Sequence, residues 1–202
     1  MNNRLRIYCT GVGGQGTLTA TNLLAKTALM NGIPVVAGEV HGMAQRGGVV
    51  ESVVLLGGWK APKLAFGEAD CMLAFEPLEA LRGLPYLAKG GTIVASSDPL
   101  PPLSVSLGAK AYPSMQEISQ TLNKYADKVY LLPIRTLGKE NGSIQSGNTL
   151  LLAAACLLNI LPFTVESLEK AIQTFLPEKL HASNLASIAR AKTALKEQGF
   201  LS

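Results

Sequence analysis

Residues 4–29, RLRIYCTGVGGQGTLTATNLLAKTAL, decide how the rest of the chain is read. Arg4–Thr10 is a short apolar strand, Gly11–Gly16 (GVGGQG) is a glycine-rich turn, and Thr17–Leu29 places Leu18, Leu23, Leu24, Ala25, Ala28 and Leu29 close to helical spacing. Asn31-Gly32 stops that helix and Pro34 forbids its return. Val35–Val40 is a second strand, and after the glycine-rich stretch His41–Gly48 comes a β-branched run, Val49–Leu56. A parallel crossover needs a dozen residues or more, so Val49–Leu56 is predicted antiparallel and the sheet mixed.

The alternation continues outward. Cys71–Phe75 is a buried strand, and Glu76-Pro77 opens a helix through Leu87 that Pro85 can break early. Gly90-Gly91 leads into strand Thr92–Ser96, and Asp98–Pro102 is a proline-rich loop. Ala109–Tyr112 reads as a weak strand, Ser114–Tyr125 as a helix and Val129–Ile134 as another buried strand. After Leu137 only helices follow: an apolar one over Asn148–Leu161, one over Thr164–Phe175 and a more polar one over Glu178–Gln198. The expected fold class is α/β, a three-layer α/β/α sandwich with a mostly parallel, mixed sheet and a helical C-terminal part. Residues 1–202 are expected to form a single domain, with 1–137 the sheet portion and 138–202 the helical portion.

Charge is scarce. Hydrophobic residues make up 48% of the 202 and charged residues 16%, where roughly 25% is ordinary, and the mean hydropathy is +0.25. That composition excludes disorder and points to a sheet buried on both faces, a surface hidden by partners, or both. The balance of 18 Lys and Arg against 14 Asp and Glu is mild. Basic runs are lacking and aromatics are 5%, so a nucleic-acid role is not expected, while an anionic small molecule suits the sign. Cys9, Cys71 and Cys156 lie far apart in apolar segments with no CxxC, which argues for buried free thiols in a reducing compartment and against a zinc or iron–sulfur site. MNNRLRIYCT has no signal-peptide core, and the longest apolar run, Leu150–Leu158, is too short for a bilayer, so the expected location is cytoplasmic.

Two motifs carry chemistry. GVGGQG between a strand and a helix suits close backbone approach and an anion at the helix N-terminus. Three readings compete for it. A dinucleotide site wants an acid ending strand two, a place Glu39 fills imperfectly. A P-loop wants a Lys after Gly16, where Thr17 stands, so that reading fails. A purely structural turn remains open. The second motif, HGMAQRGG (His41–Gly48), gathers His41, Gln45 and Arg46 among glycines, and Arg46 offers a fork of donors for carboxylate or phosphate. Its plainer reading is that Arg46 pairs with Glu39 or Glu51 and that His41 is a satisfied core histidine.

GVGGQG followed by EVHGMAQRGG, then GEAD (67–70) and FEPLEALR (75–82), resembles the subunit of 2-oxoacid:ferredoxin oxidoreductases that lacks thiamine diphosphate. The form with HGMAQRGG is similar to the beta subunit of the indolepyruvate-specific branch. The likeness spans nearly the whole chain, including Gly147-Asn148 and Asn184; it departs at Ala61–Phe66 (APKLAF), a stretch suited to contacting a partner differently. The resemblance implies a hetero-oligomer that oxidatively decarboxylates an aryl 2-oxoacid to an acyl-CoA and passes electrons to ferredoxin. It implies a division of labour, and no GDG-type diphosphate motif or cysteine cluster is present. Thiamine diphosphate and iron–sulfur clusters are therefore expected on a large partner subunit, with CoA as co-substrate and no cofactor held by this chain alone. The expected site is Gly11, Gly13, Gly14, Gln15, Gly16 and Thr17 meeting His41, Gln45, Arg46, Gly47 and Gly48 at the carboxyl edge of the first strands. No catalytic acid or base and no metal ligand is assigned. Rival readings are a stand-alone NAD- or FAD-binding oxidoreductase and a pure scaffold whose loops form the subunit interface.

Overall fold

The computed structural model describes residues 4–41, 48–101 and 111–201, the side chains of Val40 and His41 excepted. Six strands form one sheet in the order β2-β3-β1-β4-β5-β6: β1 Leu5–Val12, β2 Val35–His41, β3 Val49–Leu56, β4 Ala69–Ala74, β5 Leu87–Ser96 and β6 Lys128–Leu132. β1, β4, β5 and β6 are parallel neighbours, and β3 runs antiparallel to both β1 and β2. The expected mixed sheet is therefore observed, and β3 wedges between β2 and β1. β1 runs two residues past its expected end because β3 keeps pairing with it, Gly11 opposite Val50 and Val12 opposite Val49.

Two apolar cores give the three layers. One face of the sheet (Ile7, Cys9, Val54, Cys71, Leu73, Val94) packs on α1 Thr17–Met30, α4 Ile134–Glu140, α5 Gly147–Leu157, α6 Val165–Phe175 and α7 His181–Glu197. The other face (Tyr8, Met72, Ala74, Ile93, Ala95) packs on α2 Pro77–Gly83 and α3 Met115–Tyr125. This second face departs from a full helical layer. Its β1–β3–β2 half is crossed by an irregular segment, residues 57–68, whose Pro62 sits so close to Gly38 that a Cβ there would lie 2.8 Å from it.

The charge-free helix resolves as core. α5 ends at Leu157, four residues before its expected end, where Asn159 takes a left-handed φ of 55° that Asn tolerates. Ten of its eleven residues are buried, which satisfies a helix apolar all round. Other boundaries moved for local reasons. Pro85 ends α2 early, leaving a 3-10 turn at Leu84–Tyr86, and β5 begins at Leu87 rather than Thr92. The expected weak strand 109–112 is absent where it is described: Ala111 and Tyr112 are in no strand, and 109–110 lie outside the described residues. Ser114 caps α3 through a full capping box with Glu117. Thr164 caps α6 by accepting from the Ser167 amide.

All three thiols are free and buried. Burial pushes Cys71 and Cys156 up to about 12 and raises Cys9 as well. A thiol whose folded pKa is raised contributes stability below its unfolded pKa, near 8.5, and loses it as pH rises toward the folded value. Urea titrations should therefore show stability falling between pH 8.5 and 12, by up to about 1.4 kcal/mol per pH unit for each thiol. A thiol reagent at pH 8 should label three groups only after unfolding; fast labelling of the native protein would contradict this burial.

Candidate functional site

The parallel strands β1, β4, β5 and β6 all end at one edge, and β3 starts there. Open α/β sheets bind ligands at this carboxyl edge. The glycine loop closes it over β1. Gln15 is 8% exposed; its Oε1 accepts from the Val12 amide at 2.7 Å and its Nε2 donates to the Phe75 carbonyl at 3.4 Å. The Gln15 carbonyl in turn accepts from Asn148 Nδ2 at 2.7 Å. The loop is thus pinned from inside by its own glutamine and from outside by the first turn of α5.

The glycines have different reasons to be glycine. A Cβ on Gly11 would lie 2.6 Å from Thr17 Oγ1 and 3.1 Å from Phe75 Cβ, so Gly11 answers to packing. Gly14 and Gly16 have φ of 92° and 82°, which glycine adopts without cost. Gly16 precedes α1 with no side-chain cap on the helix, leaving an electropositive helix start facing the edge. Thr17 Oγ1 is buried without a hydrogen-bond partner among the described residues. A cavity of about 240 Å³ adjoins this end of α1, lined by Gly16, Ala20, Leu23, Asn148, Leu180 and Asn184 among others. The Thr149 hydroxyl donates to Asn184 Oδ1, and Asn184 Nδ2 to the Leu180 carbonyl, so the cavity wall is held rigidly.

The two described ends of the second motif lie beside this loop. The Gly13 amide donates to the Gly48 carbonyl at 2.8 Å, and His41 ends β2 level with Val50, which is itself level with Gly11. Gly11, Gly13, Gly14, Gln15, Gly16, Thr17 and Gly48 are therefore together, whereas Gln45, Arg46 and Gly47 lie outside the described residues, as does the side chain of His41. The proposed Arg46 bridges to Glu39 or Glu51 also fall outside; Glu51 accepts from the Tyr8 hydroxyl at 2.5 Å.

The dinucleotide reading loses its acid. Glu39 pairs with Ser52 of β3, which pairs with Cys9 of β1. Glu39 thus stands two strands from the glycine loop, about 10 Å across the sheet, and below the carboxyl edge. A ribose held by the loop would not reach it.

Two organising residues carried no assigned role in the sequence reading. Glu76, 1% exposed, caps α2 by accepting from the Glu79 amide at 3.0 Å, and its other oxygen accepts from the Leu100 amide at 3.0 Å and the Tyr112 hydroxyl at 2.5 Å. Asp98 accepts from the amides of Arg135 and Thr136, both at 2.8 Å, joining the end of β5 to the start of α4. The signal for Glu76 was present, an acid just before a proline at a helix start; its long-range partners had none. Beside it, burial raises the Glu79 carboxyl, and Arg82 at 2.6 Å opposes that rise.

A three-layer α/β chain with a glycine loop at its carboxyl edge is the class that this geometry defines. Comparison places it further: the chain belongs to the pyruvate ferredoxin/flavodoxin oxidoreductase family, whose model matches residues 6–194. It is 38% identical to the indolepyruvate oxidoreductase subunit IorB of Pyrococcus horikoshii over 95% of this chain and 96% of that one. It is 36% identical to the IorB of Archaeoglobus fulgidus, covering 92% of each. The gamma subunit of the keto/oxoacid ferredoxin oxidoreductase of Geobacter sulfurreducens shares the fold, with a TM-score of 0.65 at 23% identity over 95% of this chain and 100% of that one. So does the 2-oxoglutarate:ferredoxin oxidoreductase of Magnetococcus marinus, solved with 2-oxoglutarate, coenzyme A and succinyl-CoA bound (TM-score 0.70, 19% identity). There the match covers 98% of this chain but 32% of the other.

Proposed function

We propose that this chain is the thiamine-diphosphate-lacking subunit of an indolepyruvate-type 2-oxoacid:ferredoxin oxidoreductase, with residues 1–202 acting as one cytoplasmic domain. The assembled enzyme converts an aryl 2-oxoacid and CoA to an acyl-CoA and carbon dioxide, releasing two electrons to ferredoxin. The names of the IorB relatives support the substrate.

The described residues offer the redox groups no ligand set. The three thiols are free and buried, and no group of three or more His, Cys, Asp or Glu suited to a metal occurs among the described residues. Thiamine diphosphate, which stabilises a carbanion when bound, and the clusters belong on the large partner subunit. The contribution of this chain is to complete the active site and position CoA: the α1 N-terminus and glycine-loop amides face anionic groups, and Arg46 adds a fork of donors.

The observation that supports this reading is the Gly13–Gly48 hydrogen bond, which ties the glycine loop to the last residue of the second motif. Arg46→Ala in the assembled enzyme is expected to raise the KM for CoA about tenfold or more, the loss of one charge-assisted contact. Unchanged KM values for CoA and 2-oxoacid together with unchanged kcat would defeat the positioning role. The isolated chain should give a flat titration with NAD and FAD.

A further inference from the structure

On the reading just proposed, a larger redox-carrying subunit must lie against this chain, and the structure offers it a prepared surface. Segment 57–68 takes the place of a helix over the β1–β3–β2 half of the sheet, yet it is firmly tied. Trp59 Nε1 donates to the Leu56 carbonyl at 3.0 Å, the Ala65 amide to Glu68 at 2.9 Å and the Gly67 amide to the Pro85 carbonyl at 2.8 Å. The Arg4 and Arg6 guanidinium groups stack over the Trp59 ring at 5.0 and 5.6 Å. So held, the segment points Phe66 outward at 71% exposure, the highest of the large apolar side chains described. Phe66 packs edge-on to Tyr86 at 4.9 Å, and Tyr86 stacks on Tyr8 at 4.5 Å. An aromatic anchor fixed in advance loses little entropy on binding.

We propose that this strap is the docking surface for the larger subunit, which meets Phe66 and Tyr86 with an apolar ledge and Lys60 and Lys63 with an acidic rim. Four observations favour that occupant. Lys60 and Lys63 are exposed and make no ion pair among the described residues. The groove beside the strap runs over Tyr8, Val53 and Glu51, and Glu51 lies two residues into β3 from the carboxyl edge that the subunits would share. The exposed Leu29 and Met30, by contrast, lie at the far end of α1, about 20 Å from the glycine loop. In the fold relative where the matching unit is 32% of one long chain, most of the polypeptide lies outside that unit.

The test uses the two subunits expressed together and separately, with affinity measured by titration and assembly by light scattering. Phe66→Asp should weaken the complex about 30-fold or more, as loss of a buried aromatic anchor does, while the melting temperature of the isolated chain stays unchanged. Lys60→Glu with Lys63→Glu should slow association and flatten its salt dependence. Leu29→Asp should leave affinity intact. An unchanged affinity for Phe66→Asp overturns the proposal, as does a loss of self-association of the isolated chain with the heteromer unaffected. Failure of the unaltered chain to pair with a larger subunit removes the functional reading as well. Normal pairing with a silent Arg46→Ala removes the CoA-positioning role alone and leaves the docking surface standing.

Discussion

Gly147→Ala is expected to lower the melting temperature by roughly 6–12 °C, the effect of about 3 kcal/mol on a chain of this size. The cause is a backbone crossing between α4 and α5. A Cβ on Gly147 would lie 2.1 Å from the Ile134 carbonyl oxygen and 2.7 Å from its carbon. A Cβ on Gly138, the facing residue, would lie 2.6 Å from the Gly147 nitrogen. Atoms of the backbone cannot rotate aside as a side chain can, so the helices themselves must separate. That separation propagates to the site. Asn148, the next residue, holds the Gln15 carbonyl, and the first turn of α5 walls the cavity beside Gly16. Differential scanning calorimetry checks the effect; a shift under 2 °C would mean that the two helices do not cross this closely.

Glu76→Ala should cost about 3 kcal/mol, read by urea denaturation at pH 7. One buried carboxylate accepts three hydrogen bonds, from the Glu79 amide, the Leu100 amide and the Tyr112 hydroxyl. Hydrogen bonds to a charged group contribute about 1.5–3 kcal/mol each and do not add fully, and the stranded donors add a desolvation cost. Two partial variants separate the contributions. Glu76→Asp keeps a helix-capping carboxylate but is shorter by one carbon, so it should retain the bond to Glu79 and lose those to Leu100 and Tyr112. Tyr112→Phe removes one donor and should cost about 1 kcal/mol. If Glu76→Ala unfolds at the denaturant concentration of the unaltered protein, the carboxylate is not the clamp described.

Much of the site was legible because its signals are local. The glycine turn between strand and helix, the capping residues Ser114 and Thr164, and the proline that ends α2 are all written within a few neighbouring residues, where backbone preference decides. The antiparallel direction of β3 was legible from chain length alone. The lengths of β1 and β5 were not, since a strand ends where its neighbour stops pairing with it. Glu76 illustrates the same limit: its capping role is local, but Tyr112 is 36 residues away and Leu100 is 24.

The sequence by itself determined the α/β class, the mixed sheet, the buried thiols and the two glycine-rich motifs with their family likeness, because periodicity, turn chemistry and motif spacing are properties of short segments. Only the tertiary structure decided which stretches are core and which are surface. Gly147–Cys156 became the interior because α1, α4, α6, α7 and the sheet enclose α5. The strap at 57–68 stayed outside because none of the described helices covers β2 and β3 on that face. The same packing set β3 between β2 and β1, which took Glu39 away from the glycine loop and brought Gly48 to it. Contacts between distant segments are chosen by the burial that the whole chain achieves, and no single stretch contains that information.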